Sequence, residues 1–143
     1  MAFGTYRDRY ESAYQLQCYS GIAPVKEASG KTEWIHFRFT CSKFLRQTFH
    51  EFASHSIGRS EWAKAYYEHL RNDQKKSHHA AVRALGYKWI RIIHRCWKDR
   101  QAYDEEVYLR SLRRRGSLFA GALGLATGGA WKTVSGFQKF SAD

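Results

Sequence analysis

The stretch 77–100, SHHAAVRALGYKWIRIIHRCWKDR, decides the fold. Ser77 can accept an amide proton from the first turn of a helix, and Val82, Leu85, Trp89, Ile92 and Cys96 then recur at alternating intervals of three and four residues. That spacing predicts an amphipathic helix to about Arg100, roughly 34 Å long at the usual rise. A rod of this length with one apolar seam needs other helices to cover it.

Working outward, the flanking sequence supplies them. Ser60 is a helix-capping residue before Trp62, Ala65, Tyr66, His69 and Leu70, an inner stripe that runs to about Asp73, with the polar stretch 72–76 as connector. Ser42 caps another helix, with Phe44, Leu45, Thr48, Phe49, Phe52 and Ala53 at helical spacing, to about Ile57 before Gly58. Asp104 opens a further helix, with Glu105 and Glu106 in its first turn and Arg113, Arg114 and Arg115 in its last, the charge order that complements a helix dipole. A shorter helix is expected from Asp8 to Tyr19, stopped at Ser20-Gly21. Between Ile22 and Phe39 the period changes to two: Ile35, Phe37 and Phe39 alternate with His36 and Arg38, which predicts a half-buried strand of a hairpin turning at Ser29-Gly30, with Pro24 on an edge. The fold expected is mainly α, a helical bundle of about five helices with a small β-hairpin near the N-terminus. Its domain spans 1–116, and the Gly-rich tail 117–143, in which Trp131, Val134, Phe137 and Phe140 recur every three residues, is expected to dock on it.

Composition bounds the function. The 143 residues make one domain's worth of chain, and an aromatic content of 16% supplies a core. No run reaches the length of a membrane span, and the charged start lacks a signal-peptide core, so a cytoplasmic protein without a membrane partner is expected. Cys18, Cys41 and Cys96 lack both zinc-site and disulfide-framework spacing and read as reduced thiols. Lys and Arg number 24 against 13 Asp and Glu, a net charge of +11, which favours a polyanionic partner such as nucleic acid.

On the long helix Lys88, Arg91, Arg95 and Lys98 fall within about 80° of arc. Asp99 is the single acid between Lys75 and Arg100, too few to neutralise the ridge, so phosphate binding is favoured over a merely solvated face. Tyr66, Tyr67, Trp89 and Trp97 can stack on bases but read mostly as core. His50 and His55 stand five apart where HExxH needs four, and His78-His79 diverge, so no metal site is expected; His36, His69 and His94 read as structural. The acids are too scattered for a two-metal nuclease. Ser29-Gly30-Lys31 offers a hydroxyl on a turn near a cation, although by sequence chemistry alone Ser-Gly is only a turn.

The blocks AFGTYRDRY, YSGIAPVKEASGK, FLRQTFHEFASHSI, WAKAYY, AAVRALGYKWIRIIHRCWK and AYDEEVYL resemble, in order, the C-terminal domain of the DEDD-type insertion-sequence transposases, the bridge-RNA-guided serine recombinases. The resemblance covers about Phe3 to Ser117. It implies that Ser29, in the SG after Gly21-Ile22-Ala23-Pro24, is the nucleophile that attacks a DNA phosphodiester, with Ser20 and Ser42 as poorer alternatives. It also implies an N-terminal RuvC-like domain that holds Mg²⁺ on four acidic residues. Local charge adds Lys31, Arg38 and Arg46 as phosphate contacts.

The expected partners are DNA, an element-encoded guide RNA, and a second copy or a full-length transposase. No residues here match the RuvC-like half, so a truncated frame without a cofactor of its own is expected. The alternative is a non-catalytic nucleic-acid-binding module that regulates full-length transposase.

Overall fold

A computed structural model gives the structure of the chain and describes residues 4–116. The tail expected to dock, 117–143, lies outside the described residues. The chain divides into two units, Met1–Tyr103 and Asp104–Asp143. In the first unit a 3-10 turn, Arg7–Arg9, precedes α1 (Ala13–Tyr19), the hairpin β1 (Val25–Ser29) and β2 (Thr32–His36), α2 (Lys43–Ser56), α3 (Glu61–Asn72) and α4 (His78–Asp99). The second contributes α5 (Glu105–Arg114) to the described residues, capped by Asp104, whose carboxylate accepts from the Val107 amide at 3.1 Å. Five helices and one antiparallel hairpin match the fold expected from the sequence.

The long helix is the hub, because α1, α2 and α3 all pack on α4. Ser77 caps it by accepting from Ala80, and its buried side is Ala81, Val82, Leu85, Gly86, Trp89, Ile90 and His94. The expected seam therefore holds through Trp89. Beyond it the buried stripe passes to Ile90 and His94, and Ile92 and Cys96 are only half-buried. Ile90 packs with Tyr10, Leu16, Ile22, Leu45 and Phe49 in one cluster. Around Trp89 a second one forms: Trp62 lies at 4.8 Å, while Phe52 and Tyr103 meet it edge-on at 5.1 Å. Polar ends inside it are satisfied, since Trp89 donates to the Ser56 hydroxyl at 2.8 Å and Trp62 to the Tyr103 hydroxyl at 2.7 Å.

Three local expectations change. The helix from Asp8 to Tyr19 is broken at Tyr10, which is extended and buried, its ring 5.7 Å from Tyr19 and 6.3 Å from Trp97. Burying that ring outweighs one more helical turn, and Ser12 starts the chain again by accepting from Gln15. In α2 the buried stripe is Leu45, Phe49, Ala53 and Ser56, and Phe44 faces outward. The hairpin is largely exposed on both faces, and β2 stops at His36. Alternation distinguishes two faces of a strand but does not say that either is covered.

Gln17 is fully buried and donates to the Tyr87 carbonyl at 2.8 Å, tying α1 to α4. The Gln17 carbonyl accepts from Ile22 and Ala23, and Gly21, at φ +71°, turns the chain toward the hairpin. A Cβ on Gly21 would collide with the Cys41 thiol and lie 2.8 Å from its Cβ. Both ends of the hairpin thus converge on one glycine. Gly86, unexpected inside a helix, lets α4 lie close to α2, where a Cβ would meet the Phe49 carbonyl at 3.5 Å and Ala53 at 3.6 Å, ordinary contacts.

These two glycines should behave oppositely. Gly21→Ala is expected to lower stability by about 2 kcal/mol or more, through left-handed strain plus the clash, and to lower Tm by about 8 °C or more. Gly86→Ala is expected to leave Tm unchanged or to raise stability by up to about 1 kcal/mol through helix propensity. Thermal melting of both variants checks the pair.

Candidate functional site

In the hairpin Ser29 pairs with Thr32, so Gly30 and Lys31 form a two-residue turn. Gly30 has φ +61° and Lys31 does not share the positive sign, the arrangement of a type II′ turn with glycine first. Ser29 and Lys31 are exposed there. Period-two placement puts Ser29 on the face of Val25 and Glu27, opposite Thr32, Trp34 and His36. Glu27 is held by His36 at 3.1 Å, and Lys26 pairs with Glu33 at 3.1 Å. Among the described residues no base lies within hydrogen-bond reach of the Ser29 hydroxyl. Ser20 is fully buried and donates to the Gln17 carbonyl at 3.1 Å, and the Ser42 hydroxyl is occupied as the cap of α2. Of the three serines weighed, Ser29 alone is presented outward.

Lys31 shares the turn with Ser29, whereas Arg38 and Arg46 are at the opposite end. β2, Thr32–His36, covers about 13 Å at a strand rise, and Arg38 lies two residues beyond its end. Arg46 donates to the Arg38 carbonyl at 3.5 Å, and beside them a recess of about 330 Å³ is lined by Val25, Glu27, His36, Phe37, Arg38, Phe39 and Thr40.

The ridge on α4 is split by its environment. Arg91 and Arg95 are exposed, Lys98 is half-buried, and Lys88 lies over the Tyr66 ring at 4.1 Å. Burial, with the nearby Arg91 charge adding to it, pulls the Lys88 ammonium down to about 8. The ridge is also less naked than its composition suggests. Asp99 reaches Arg95 at 3.3 Å from one turn away, and Asp8, brought by the 3-10 turn, reaches Lys98 at 3.3 Å. Such exposed pairs contribute little, but they reduce the net field of the ridge. Tyr66 and Trp89 are buried, whereas on and just after the hairpin Trp34, Phe37 and Phe39 are 54%, 50% and 83% exposed. For Phe37 and Phe39 the alternation had pointed inward.

His50 stacks on His79 at 5.8 Å, and His78 accepts or donates a hydrogen bond with the Tyr67 hydroxyl at 2.8 Å. Burial first, then His79, Arg83 and His78, lower the His50 pKa. His94 faces the Tyr10 carbonyl at 3.4 Å, a packing role. Among the described residues no group of three His, Cys, Asp or Glu side chains is placed to hold a metal ion, and no helix is long and apolar enough to cross a membrane.

The exposed serine turn and the helix that anchors its base fall inside one matched segment. Residues 1–68 match the Transposase IS116/IS110/IS902 family. The chain is also 31% identical over 103 residues to the Streptomyces coelicolor protein named "Mini-circle putative transposase for IS117". That overlap takes in 72% of this chain and 25% of the relative, so the chain spans about a quarter of the relative's length. No solved structure matches. Ser29, Lys31, Arg38 and Arg46 lie inside the matched segment, whereas Lys88, Arg91, Arg95 and Lys98 lie beyond it.

The half-buried Lys88 gives this chain an unusual pH response. A lysine that loses its proton more readily folded than unfolded makes the unfolded state bind more protons between pH 8 and the ordinary lysine value. Stability should therefore rise with pH across that window. Lys88→Met is expected to abolish the rise and to raise stability at pH 7 by about 1–2 kcal/mol, the contact with Tyr66 offsetting part of the burial term. Denaturant unfolding at pH 7 and pH 10 checks this; a steeper rise in the variant would contradict it.

Proposed function

We propose that this chain is the serine-bearing part of an insertion-sequence transposase that acts on DNA, with Ser29 as the nucleophile. One observation carries the reading: within the matched segment, Ser29 sits at the first edge of a tight exposed turn with Lys31 beside it. The Ser29 oxygen would form a bond to phosphorus while the bond from phosphorus to the 3′ oxygen breaks. A phosphoserine link to the 5′ side results, and the leaving oxygen takes up a proton as a free 3′-hydroxyl. A 3′-hydroxyl of another strand can then attack phosphorus and release the serine.

Lys31 supplies a point charge for the phosphate. A neutral serine must also lose its proton to a base, and the pentavalent phosphorus needs more charge stabilisation than one lysine offers. Those groups belong, in this reading, to a RuvC-like segment carrying Mg²⁺. The described carboxylates do not fit such an ion: Glu27 and Glu33 are engaged in the hairpin pairs, and Asp104, Glu105 and Glu106 are spent on a helix start. A guide RNA and a second copy of the chain or a full-length transposase complete the partner set.

The test mixes the full chain with an intact RuvC-like partner, Mg²⁺ and labelled element-end DNA, and looks for a covalent protein–DNA adduct after denaturation. An adduct with the wild type that disappears in Ser29→Ala is expected. An adduct retained in Ser29→Ala overturns the assignment in favour of another nucleophile; none with the wild type overturns it in favour of a non-catalytic nucleic-acid module, the reading favoured by the absence, among the described residues, of a base beside Ser29.

A further inference from the structure

Near the base of the hairpin stand three arginines that no carboxylate among the described residues pairs with. Arg83, on α4, lies over the Phe37 ring at 3.8 Å; Arg38 is the next residue along, and its carbonyl accepts from Arg46 of α2. Among the described residues none of the three forms an ion pair, although Arg95, Lys98, Lys26 and even the solvated ends of α3 find carboxylates. The Nε of Arg38 is buried without a hydrogen-bond partner. A buried donor left unmatched and like charges held together both destabilise a fold, and a ligand that satisfies them recovers that energy.

We infer that Arg38, Arg46 and Arg83 form a phosphodiester-binding cluster, distinct from the ridge of Lys88, Arg91, Arg95 and Lys98, which grips the nucleic-acid backbone at the foot of the serine hairpin. Guanidinium forks suit phosphate oxygens, and Phe37 fixes the plane of one of them. Burial and the charge of Arg46 both lower the Arg83 pKa, as expected where cations are packed without a counterion. His50 and His79 border the cluster and bring no negative charge; Glu51 is the nearest carboxylate to His50, and its oxygen accepts from Gln47 at 2.9 Å. The spacing suits a strand. The length of β2, about 13 Å, corresponds to about four nucleotides of a B-form strand at about 3.4 Å each, so one backbone can meet both Ser29 and the cluster.

The inference rests on the reading that the chain acts on DNA, and its test is kept separate from adduct formation. Binding of the full chain to a short DNA duplex is measured against salt concentration for the wild type, the double variant Arg46→Gln/Arg83→Gln, a charge-matched control Arg59→Gln/Lys64→Gln, and Ser29→Ala. The cluster variant should lose about two from the slope of log affinity against log salt, while the control and Ser29→Ala keep the wild-type slope. A second variant, Arg46→Lys/Arg83→Lys, guards against loss of folding: it should keep the slope but bind several-fold more weakly, because the forks are gone. Equal slopes in cluster variant and control overturn the inference and leave the Ser29 assignment standing. A missing adduct with normal slopes does the reverse.

Discussion

The close crossing of α4 over α2 is the constraint on which the rest of this structure depends. At the crossing Gly86 faces Ala53 and the Phe49 carbonyl, at a separation that would still admit one methyl group at ordinary contact distance. Three residues on, Trp89 donates to the Ser56 hydroxyl of α2. The indole then gathers Phe52, Trp62 and Tyr103 around itself. Small residues at the crossing thus stand beside a large aromatic core. Small-against-small contact at a crossing lets backbones approach, and the bulky groups on either side fill what remains.

From that crossing the hairpin receives its position. Its lower end is held by Gln17, which ties α1 to α4 through the Tyr87 carbonyl, and by Gly21, packed against Cys41 at the far side of the hairpin. The upper end is free of the helices, and there the chain carries Ser29 and Lys31. A held foot and an exposed tip leave the turn open to approach from outside. The contrast between the two ends also explains the charge distribution, with one lysine at the tip and three arginines below it.

Much of the site was legible from the residues and much was not. The Ser29 assignment came from a resemblance, in the SG that follows GIAP, and what the residues themselves foretold was the turn, from Ser-Gly between extended stretches. The distance of Ser29 from Arg38 and Arg46 could not be foretold, because sequence neighbours two strands apart in a hairpin lie at opposite ends only when the register is known. Arg83 escaped notice for a related reason. On a helical wheel it is one more cation of a basic helix, and only the fold brings Phe37 beneath it and Arg46 beside it. The ridge of Lys88, Arg91, Arg95 and Lys98 shows the converse: correct as a pattern, it is divided by Tyr66, Asp8 and Asp99, none of which periodicity can place.

Local patterns alone determined the helices α2 to α5, the serine and aspartate caps of α2, α4 and α5, and the existence of a hairpin, because capping, propensity and spacing act over a few residues and need no distant partner; Ser60 precedes α3 without a side-chain cap bond. Tertiary structure decided which apolar faces were covered. It broke the first helix to bury Tyr10, left Phe37 and Phe39 in solvent, and moved the buried stripe of α4 from Ile92 to Ile90 and His94. Burial is a property of what packs against a face, and that depends on contacts between residues far apart in the chain. The same reason separates a basic residue that is paired from one that awaits an anion.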